Sequence, residues 1–183
     1  MKKTALIAAL LAALGPAAPA GAAERAVEKE VVVPAALPAV WEAWTTSRGI
    51  TSFMAPHAVV EPRVGGAFHI HFAPDAPPGQ RGADDMRFMA LQPMKMLSFD
   101  WNAPPSLPQA RAQRTFVILR FEPVTPTSTR VRLHHTGWGD GGEWDEAYRY
   151  FDRAWGAVLG KLVQRFEQGP VDWGRPVKLP VAQ

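Results

Sequence analysis

Near its C-terminus the chain carries a long segment, residues 142–167, in which apolar side chains recur every three or four positions. The apolar positions are Trp144, Ala147, Tyr148, Phe151, Ala154, Trp155, Val158, Leu159, Leu162, Val163 and Phe166. Polar residues occupy the other face, and Gly169-Pro170 ends the pattern. This periodicity predicts a helix of about six turns with a wide aromatic face. Such a helix must bury that face against a second apolar layer.

The residues before this helix predict a sheet as that second layer. Ala26–Val33 has charge at its start, continues as a β-branched run and is stopped by Pro34, which predicts a first strand. Pro38–Thr46 then predicts a short helix, and residues 48–54 a further helical turn. From Val59 to Thr136 the apolar period is two, and strands are predicted at residues 68–72, 86–91, 96–101, 115–122 and 129–136.

This order of elements predicts a single α+β domain, for which the length of 183 residues is suitable. A curved antiparallel sheet and one long helix can each bury the apolar face of the other. A sheet that curves around a helix need not close against it everywhere. The gap between them is therefore the expected place for a small-molecule cavity.

The first 23 residues predict a signal peptide that is removed. Met1-Lys2-Lys3 is a short cationic start, Thr4–Leu14 is an apolar run of about 11 residues, and small residues follow. A membrane-spanning helix needs about 20 apolar residues, so stable membrane insertion is not expected. We expect a periplasmic or secreted bacterial protein cleaved near Ala22 or Ala23, a domain over residues 24–170 and an extended tail over residues 171–183.

Composition restricts the partners and the chemistry. Loss of Lys2 and Lys3 leaves 18 of the 20 basic residues against 17 acidic ones, a net charge of +1. Because the remaining basic residues are scattered along the chain, nucleic-acid binding is not expected. The chain has no cysteine, which excludes disulfides, thiolate metal sites and a cysteine nucleophile.

Six short motifs follow one another along residues 26–168. They are Pro34 with Val40–Thr45, Val64–Phe68, Leu97–Trp101, Phe121–Pro123, Thr129–Trp138, and Trp155-Gly156 with Leu159 and Leu162. In this order they resemble the SRPBCC superfamily of START and birch-pollen-allergen-like proteins. Within it they are most similar to the branch of the activator of heat-shock-protein-90 ATPase homologue and polyketide-cyclase-like proteins. The resemblance implies a helix-grip fold, a curved antiparallel β-sheet wrapped around a long C-terminal α-helix, with one or two short helices after the first strand.

The resemblance implies function only in broad terms. Members of the superfamily bind lipids, steroids, polyketides or plant metabolites, and some are cyclases, dehydratases or hydrolases. The eukaryotic namesake stimulates a chaperone ATPase, a role that we do not expect of an exported protein. Many relatives carry an acidic residue on the strand that leads to the central proline, whereas this chain has Ala90 and Leu91 there. We therefore expect no catalytic acid at that place. We also expect no cofactor.

Nine side chains form the predicted lining of the cavity between sheet and helix. They are Trp44, Phe72, Phe88, Phe99, Trp101, His135, Tyr148, Phe151 and Trp155. We expect three or four aromatic residues to face a ligand and the rest to fill the core, with His135 and Tyr148 as polar anchors. His135 lies on the inward face of its strand, where a neutral imidazole suits proton transfer near neutral pH. The alternative is a core histidine whose hydrogen bonds are already satisfied.

His69 and His71 raise the question of a metal site, because alternate residues of a strand share one face and imidazole is a common metal ligand. With Asp75 and Gly82 they loosely resemble the first motif of the cupins, which are jelly-roll proteins. A long aromatic C-terminal helix is foreign to that fold. We expect Phe72 to continue the core face of the strand and both histidines to lie in solvent, so no metal site is predicted.

Three functions follow from these patterns. The first is an exported protein that holds an apolar or aromatic ligand without chemistry, which the lack of a recognisable catalytic set favours. The second is a cyclase-like or hydrolase-like enzyme that uses His135 for proton transfer. The third is a cell-envelope interaction module that acts through its surface. We expect a monomer or a weak homodimer in each case.

Overall fold

The computed structural model describes residues 24–174, so the predicted signal peptide and most of the predicted tail lie outside the described residues. Its elements are β1 (Val27–Val33), α1 (Leu37–Thr45), α2 (Ser47–Thr51), β2 (His57–Val60), β3 (Phe68–His71), β4 (Gly82–Ala83), β5 (Phe88–Gln92), β6 (Met96–Trp101), α3 (Pro108–Arg111), β7 (Thr115–Thr125), β8 (Ser128–Thr136) and α4 (Gly142–Gln168). The predicted order of a strand, short helices, further strands and a long helix is confirmed. None of the helices in residues 24–174 is long and apolar enough to cross a membrane.

The strands form two antiparallel sheets that continue one another. Five strands lie in the order β1-β8-β7-β6-β5, and three lie in the order β2-β3-β4. An antiparallel bridge between Ala67 and Arg87 joins the two sheets, and the amide of Phe68 donates to the carbonyl of Met86 at 2.8 Å. β4 and the start of β5 therefore follow the same edge of β3. At four and two residues, β2 and β4 are too short to show an apolar period in the sequence.

Helix α4 closes the core with one stripe of apolar side chains. Its buried residues are Ala147, Phe151, Trp155, Leu159 and Leu162, which follow the predicted spacing of three and four. Trp155 packs against Trp101 of β6, with their ring centroids 5.4 Å apart. Burial of an aromatic side chain contributes about 1.5–3 kcal/mol, so this stripe is a main source of stability. The expected helix-grip architecture, a sheet that covers one face of a long helix, is present.

The two ends of α4 are held by local interactions. Glu143 in the first turn accepts hydrogen bonds from the amides of Gln109 and Ala110, at 2.7 and 3.0 Å, and so attaches α3 to the helix. An acidic side chain is also favourable there because it complements the helix dipole. Gly169 ends the helix with a φ of 99°, a conformation that glycine adopts without steric cost.

Strand β3 departs from the predicted alternation at its last residues. Phe68 and Ile70 are fully buried as expected, but Phe72 is 47% exposed and His71 only 5% exposed. The amides of Phe72 and Ala73 both donate to the carbonyl of Arg81, so two residues face one and the strand bulges. The expectation that Phe72 continues the core face is therefore wrong, and so is the expectation that His71 lies in solvent.

Candidate ligand pocket

An apolar pocket of about 260 Å³ opens between the middle of α4 and the loops that follow β3 and β6. Its helix side is formed by Tyr150, Phe151, Ala154, Trp155 and Val158. Its loop side is formed by residues 72–73, 80–83 and 101–105, with Met54 and Arg111. The pocket thus lies at one end of the contact between sheet and helix.

The structure brings four of the nine predicted lining residues together at this pocket. These four are Phe72, Trp101, Phe151 and Trp155. Four others are fully buried in the core, namely Trp44, Phe88, Phe99 and His135. The ninth, Tyr148, is partly buried, and its hydroxyl donates to the carbonyl of Ala26 at 3.0 Å. Tyr148 therefore fastens the start of the first strand to α4 instead of facing the pocket.

Aromatic packing fills most of the space beneath α4. The ring of Phe68 lies 4.2 Å from that of Phe99 and 4.9 Å from that of Phe88, measured between centroids. Phe99 in turn contacts Trp101 at 5.5 Å. Because these rings occupy the middle of the sheet, the pocket lies beside them, next to Tyr150 and Ala154 in the middle of α4.

His135 is held on both sides by hydrogen bonds inside the core. Its Nδ1 accepts from the indole Nε1 of Trp155 at 2.8 Å, and its Nε2 lies 2.7 Å from Oγ1 of Thr115. An indole nitrogen only donates, so Nδ1 is unprotonated and Nε2 donates to Thr115. The hydroxyl of Thr115 in turn donates to the backbone carbonyl of Trp101 at 3.2 Å.

The burial of His135 fixes its charge state. Removal from water lowers the pKa of His135 to about 3, with a small further effect from the nearby His134. The imidazole is therefore neutral, both of its nitrogens are engaged, and it is not part of the pocket lining. This geometry is that of a core histidine with satisfied hydrogen bonds.

The polar side of the pocket is dominated by Arg111, which the sequence patterns did not single out. Its guanidinium donates to the carbonyls of Gly79 and Gly82 at 2.6 and 2.7 Å and to that of Ala103. Oriented with its oxygen toward Arg111, the amide of Asn102 accepts two further hydrogen bonds, at 3.0 and 3.2 Å. Burial lowers the pKa of Arg111, and the charge of Asp84 opposes that shift. Arg111 thus ties the two pocket loops together.

A second arginine at the pocket, Arg81, is paired with a buried carboxylate. Asp84, with a side chain only 8% exposed, accepts from the amide of Arg81 at 3.0 Å and from its Nε at 2.7 Å. Burial by itself raises the pKa of Asp84, but the hydrogen bonds and charge of Arg81 outweigh it and leave the pKa lowered. Asp84 is therefore ionised and lies behind the pocket wall, 3.7 Å from the guanidinium of Arg111.

Of the two histidines considered as metal ligands, His69 is half-buried, and His71 pairs with His57. His57 and His71 stack with ring centroids 4.9 Å apart, and their Nδ1 atoms are 2.9 Å from each other. Burial, assisted by the charge of Arg81, lowers the pKa of His71. Within residues 24–174, no group of three or more histidine, aspartate or glutamate side chains is arranged to hold a metal ion.

A curved antiparallel sheet wrapped around a long C-terminal helix, with an apolar pocket at the end of their contact, defines the class of helix-grip proteins. Residues 34–167 match the family described as activator of Hsp90 ATPase homolog 1-like protein. The chain belongs to this family. The resemblance drawn from the six sequence motifs is thereby confirmed. No curated protein sequence matches the chain significantly.

Solved structures of similar fold come from several bacteria. Protein MLL2253 from Mesorhizobium loti is 26% identical, with a TM-score of 0.63 over 80% of this chain and 100% of that one. The Aha1 dimer from Colwellia psychrerythraea is 18% identical, with a TM-score of 0.60 over 79% and 98% of the two chains. DynU16, a putative protein in the dynemicin biosynthetic locus, is 20% identical, with a TM-score of 0.60 over 79% of this chain and 48% of that one. The last two are similar to this chain in fold alone.

Proposed function

We propose that the protein binds a small apolar or aromatic molecule in the pocket between α4 and the loops after β3 and β6. The observation that carries this proposal is the pocket itself, in which five aromatic residues meet a few polar groups. Ligand sites in proteins are concave and mostly apolar, with a small number of polar groups that orient the ligand. Membership of a family of the ligand-binding SRPBCC type supports the same function.

Binding without chemistry is favoured by the side chains that line the pocket. Among the described residues, the lining contains no carboxylate and no histidine, and its ionisable groups are Arg81, Arg111 and Tyr150. An arginine stays protonated in proteins and so does not act as a general base. The catalytic alternative built on His135 has no support from geometry, because both of its nitrogens already have partners.

The pocket can be tested by filling it. Ala154 lines the pocket from α4, whereas Ala157, on the same helix, is exposed and does not line it. We expect Ala154→Trp to abolish binding of 2-naphthamide, a neutral two-ring probe, in titration calorimetry, and Ala157→Trp to leave it unchanged. Native mass spectrometry of freshly purified protein should also show a retained small molecule that Ala154→Trp no longer carries. A wild-type protein that neither retains a molecule nor binds the probe would contradict the proposal.

We also propose that the protein is exported before it binds its ligand. The support is the cationic and apolar pattern of residues 1–23, which precedes the family match at residue 34. The intact mass of the protein from a periplasmic fraction should correspond to a chain that begins near Ala23. A mass that includes Met1 would contradict export with cleavage.

A monomer or a weak homodimer remains our proposal for the assembly state. The similar structure from Colwellia psychrerythraea is described as a dimer, which supports the second possibility by analogy of fold. Sedimentation velocity over a range of protein concentrations distinguishes the two, because a weak dimer dissociates on dilution. A dimer that persists at nanomolar concentration would contradict the proposal.

A further inference from the structure

The loop side of the pocket carries more positively charged side chains than negatively charged ones. Arg81 and Arg111 line the pocket, and the one carboxylate between them is Asp84, which lies behind the wall. The neighbouring Asp85 forms its own ion pair with Arg114, at 2.6 Å. His71, which lies 3.9 Å from Asp84, adds no charge because burial lowers its pKa. One positive charge is therefore left over at the pocket wall.

The two arginines differ in how many of their side-chain nitrogens already have hydrogen-bond partners. Both terminal nitrogens of Arg111 donate hydrogen bonds to carbonyls of the two pocket loops. Arg81 is bound to Asp84 through its Nε, and its side chain is 30% exposed. In residues 24–174 no hydrogen bond or ion pair engages the two terminal nitrogens of Arg81. These nitrogens are free charged donors at the pocket wall, to which Gln80 and Tyr150 add neutral polar groups.

The apolar remainder of the pocket wall strengthens the attraction of Arg81 for an anion. The helix side presents the rings of Phe151 and Trp155, and the loop side adds Trp101. An apolar surrounding strengthens the attraction between opposite charges, because it replaces water of high dielectric constant. A guanidinium also presents two parallel N–H groups, the geometry that binds a carboxylate through both of its oxygens.

We propose that the ligand is an aromatic carboxylate of one or two rings, whose carboxylate accepts hydrogen bonds from the terminal nitrogens of Arg81. Its ring packs between Trp101 and the helix residues Phe151 and Trp155. A volume of about 260 Å³ lies just below the usual range for drug-sized ligands, which begins at about 300 Å³, and so limits the ligand to this size. This assignment of ligand class rests on the proposed binding function.

Two probes of equal shape test the assignment. The anion 2-naphthoate and the neutral 2-naphthamide differ in charge but fill the same volume, and titration calorimetry at about pH 7 gives both affinities. We expect the wild-type protein to bind the carboxylate at least about tenfold more tightly than the amide, the effect of one charge-assisted hydrogen-bonded pair. Arg81→Gln should abolish the preference for 2-naphthoate over 2-naphthamide, because it removes the charge that distinguishes the two probes.

The control is Arg149→Gln, the same change of charge at an exposed position of α4 that does not line the pocket. It should preserve the preference for the carboxylate, whereas a general effect of protein charge would reduce it. Equal binding of the two probes by the wild-type protein would overturn the ligand class and leave the binding function intact. Failure of both probes to bind would overturn the ligand class, and it would overturn the binding function as well if native mass spectrometry shows no retained molecule. The comparison on the wild-type protein needs no variant, so it holds even if Arg81→Gln unfolds.

Discussion

The indole Nε1 of Trp155 donates to Nδ1 of His135 at 2.8 Å, in a place where neither side chain is more than 1% exposed. This bond joins α4 to β8, and the hydrogen bonds from His135 through Thr115 continue it to the carbonyl of Trp101 in β6. Trp155 and Trp101 are also two walls of the pocket. The buried chain of hydrogen bonds thus links the ring of Trp155 to the backbone of Trp101, and His135 helps to position the pocket wall.

Replacing Trp155 by Phe should be more costly than the same change at Trp44. Both tryptophans are buried, but within residues 24–174 the indole nitrogen of Trp44 has no hydrogen-bond partner. Trp155→Phe leaves Nδ1 of His135 buried and unsatisfied, which costs about 1–3 kcal/mol beyond the loss of ring volume. Urea unfolding should show this difference between the two variants. Equal losses of stability would mean that the bond to His135 contributes nothing.

The stability of the protein should fall in mild acid because of His135. Its pKa is about 3 in the folded protein and about 6.5 in an unfolded chain, so between these values the unfolded chain binds one more proton. This contribution is complete above about pH 6.5 and is lost as the pH falls toward 3, at about 1.4 kcal/mol per pH unit. Urea unfolding at several pH values measures it.

The matched variants for this pH dependence are His135→Asn and Leu133→Ala. Leu133 is buried on the same face of β8 but does not titrate, so Leu133→Ala should lower stability at every pH and keep the slope of the wild-type protein. His135→Asn should reduce the slope by about one proton. If the curves of the wild-type protein and His135→Asn run parallel, His135 is not the group responsible.

The sequence predicts on which face of a strand a side chain lies. It predicts less well which residues that side chain contacts. Alternation correctly places Phe99 and Trp101 on the inner face of β6, but only the position of α4 decides that Phe99 fills the core while Trp101 borders the pocket. Periodicity is local, whereas this distinction depends on packing between distant elements. Arg111 could not be found in this way because most of its hydrogen bonds at short distance go to backbone carbonyls, which leave no pattern of side chains. Phe72 does line the pocket, but its exposure could not be predicted because a bulge is set by backbone hydrogen bonds.

Removal of the guanidinium of Arg111 should loosen the two loops of the pocket. Arg111→Met leaves three backbone carbonyls and the buried Asp84 without that partner, and we expect a loss of about 3 kcal/mol. Hydrogen exchange should accelerate in residues 79–83 and 101–105, and binding of 2-naphthamide should weaken. Arg120→Met, at an exposed position of β7, is the control and should change stability by less than about 0.5 kcal/mol. Unchanged exchange in both loops of Arg111→Met would show that they hold their shape without the arginine.

Gly79, in the loop after β3, and Gly82, the first residue of β4, should respond differently to alanine. Both have positive φ angles, 84° at Gly79 and 137° at Gly82, so a side chain strains the backbone at either place. No atom lies within 4 Å of a Cβ built on Gly79, whereas one built on Gly82 lies 2.7 Å from the carbonyl oxygen of Ile70. That oxygen belongs to β3, so β4 must move away from its neighbour.

We therefore expect Gly79→Ala to cost about 1 kcal/mol and Gly82→Ala at least about 2 kcal/mol more, because only the second adds a clash with backbone to the strain. Since Gly82 also lines the pocket, Gly82→Ala should weaken binding of 2-naphthamide, and Gly79→Ala should not. Urea unfolding and titration calorimetry on the two variants measure both effects. Equal stability of the two variants would show that β4 can leave β3 at little cost, and the pocket wall would then not depend on their pairing.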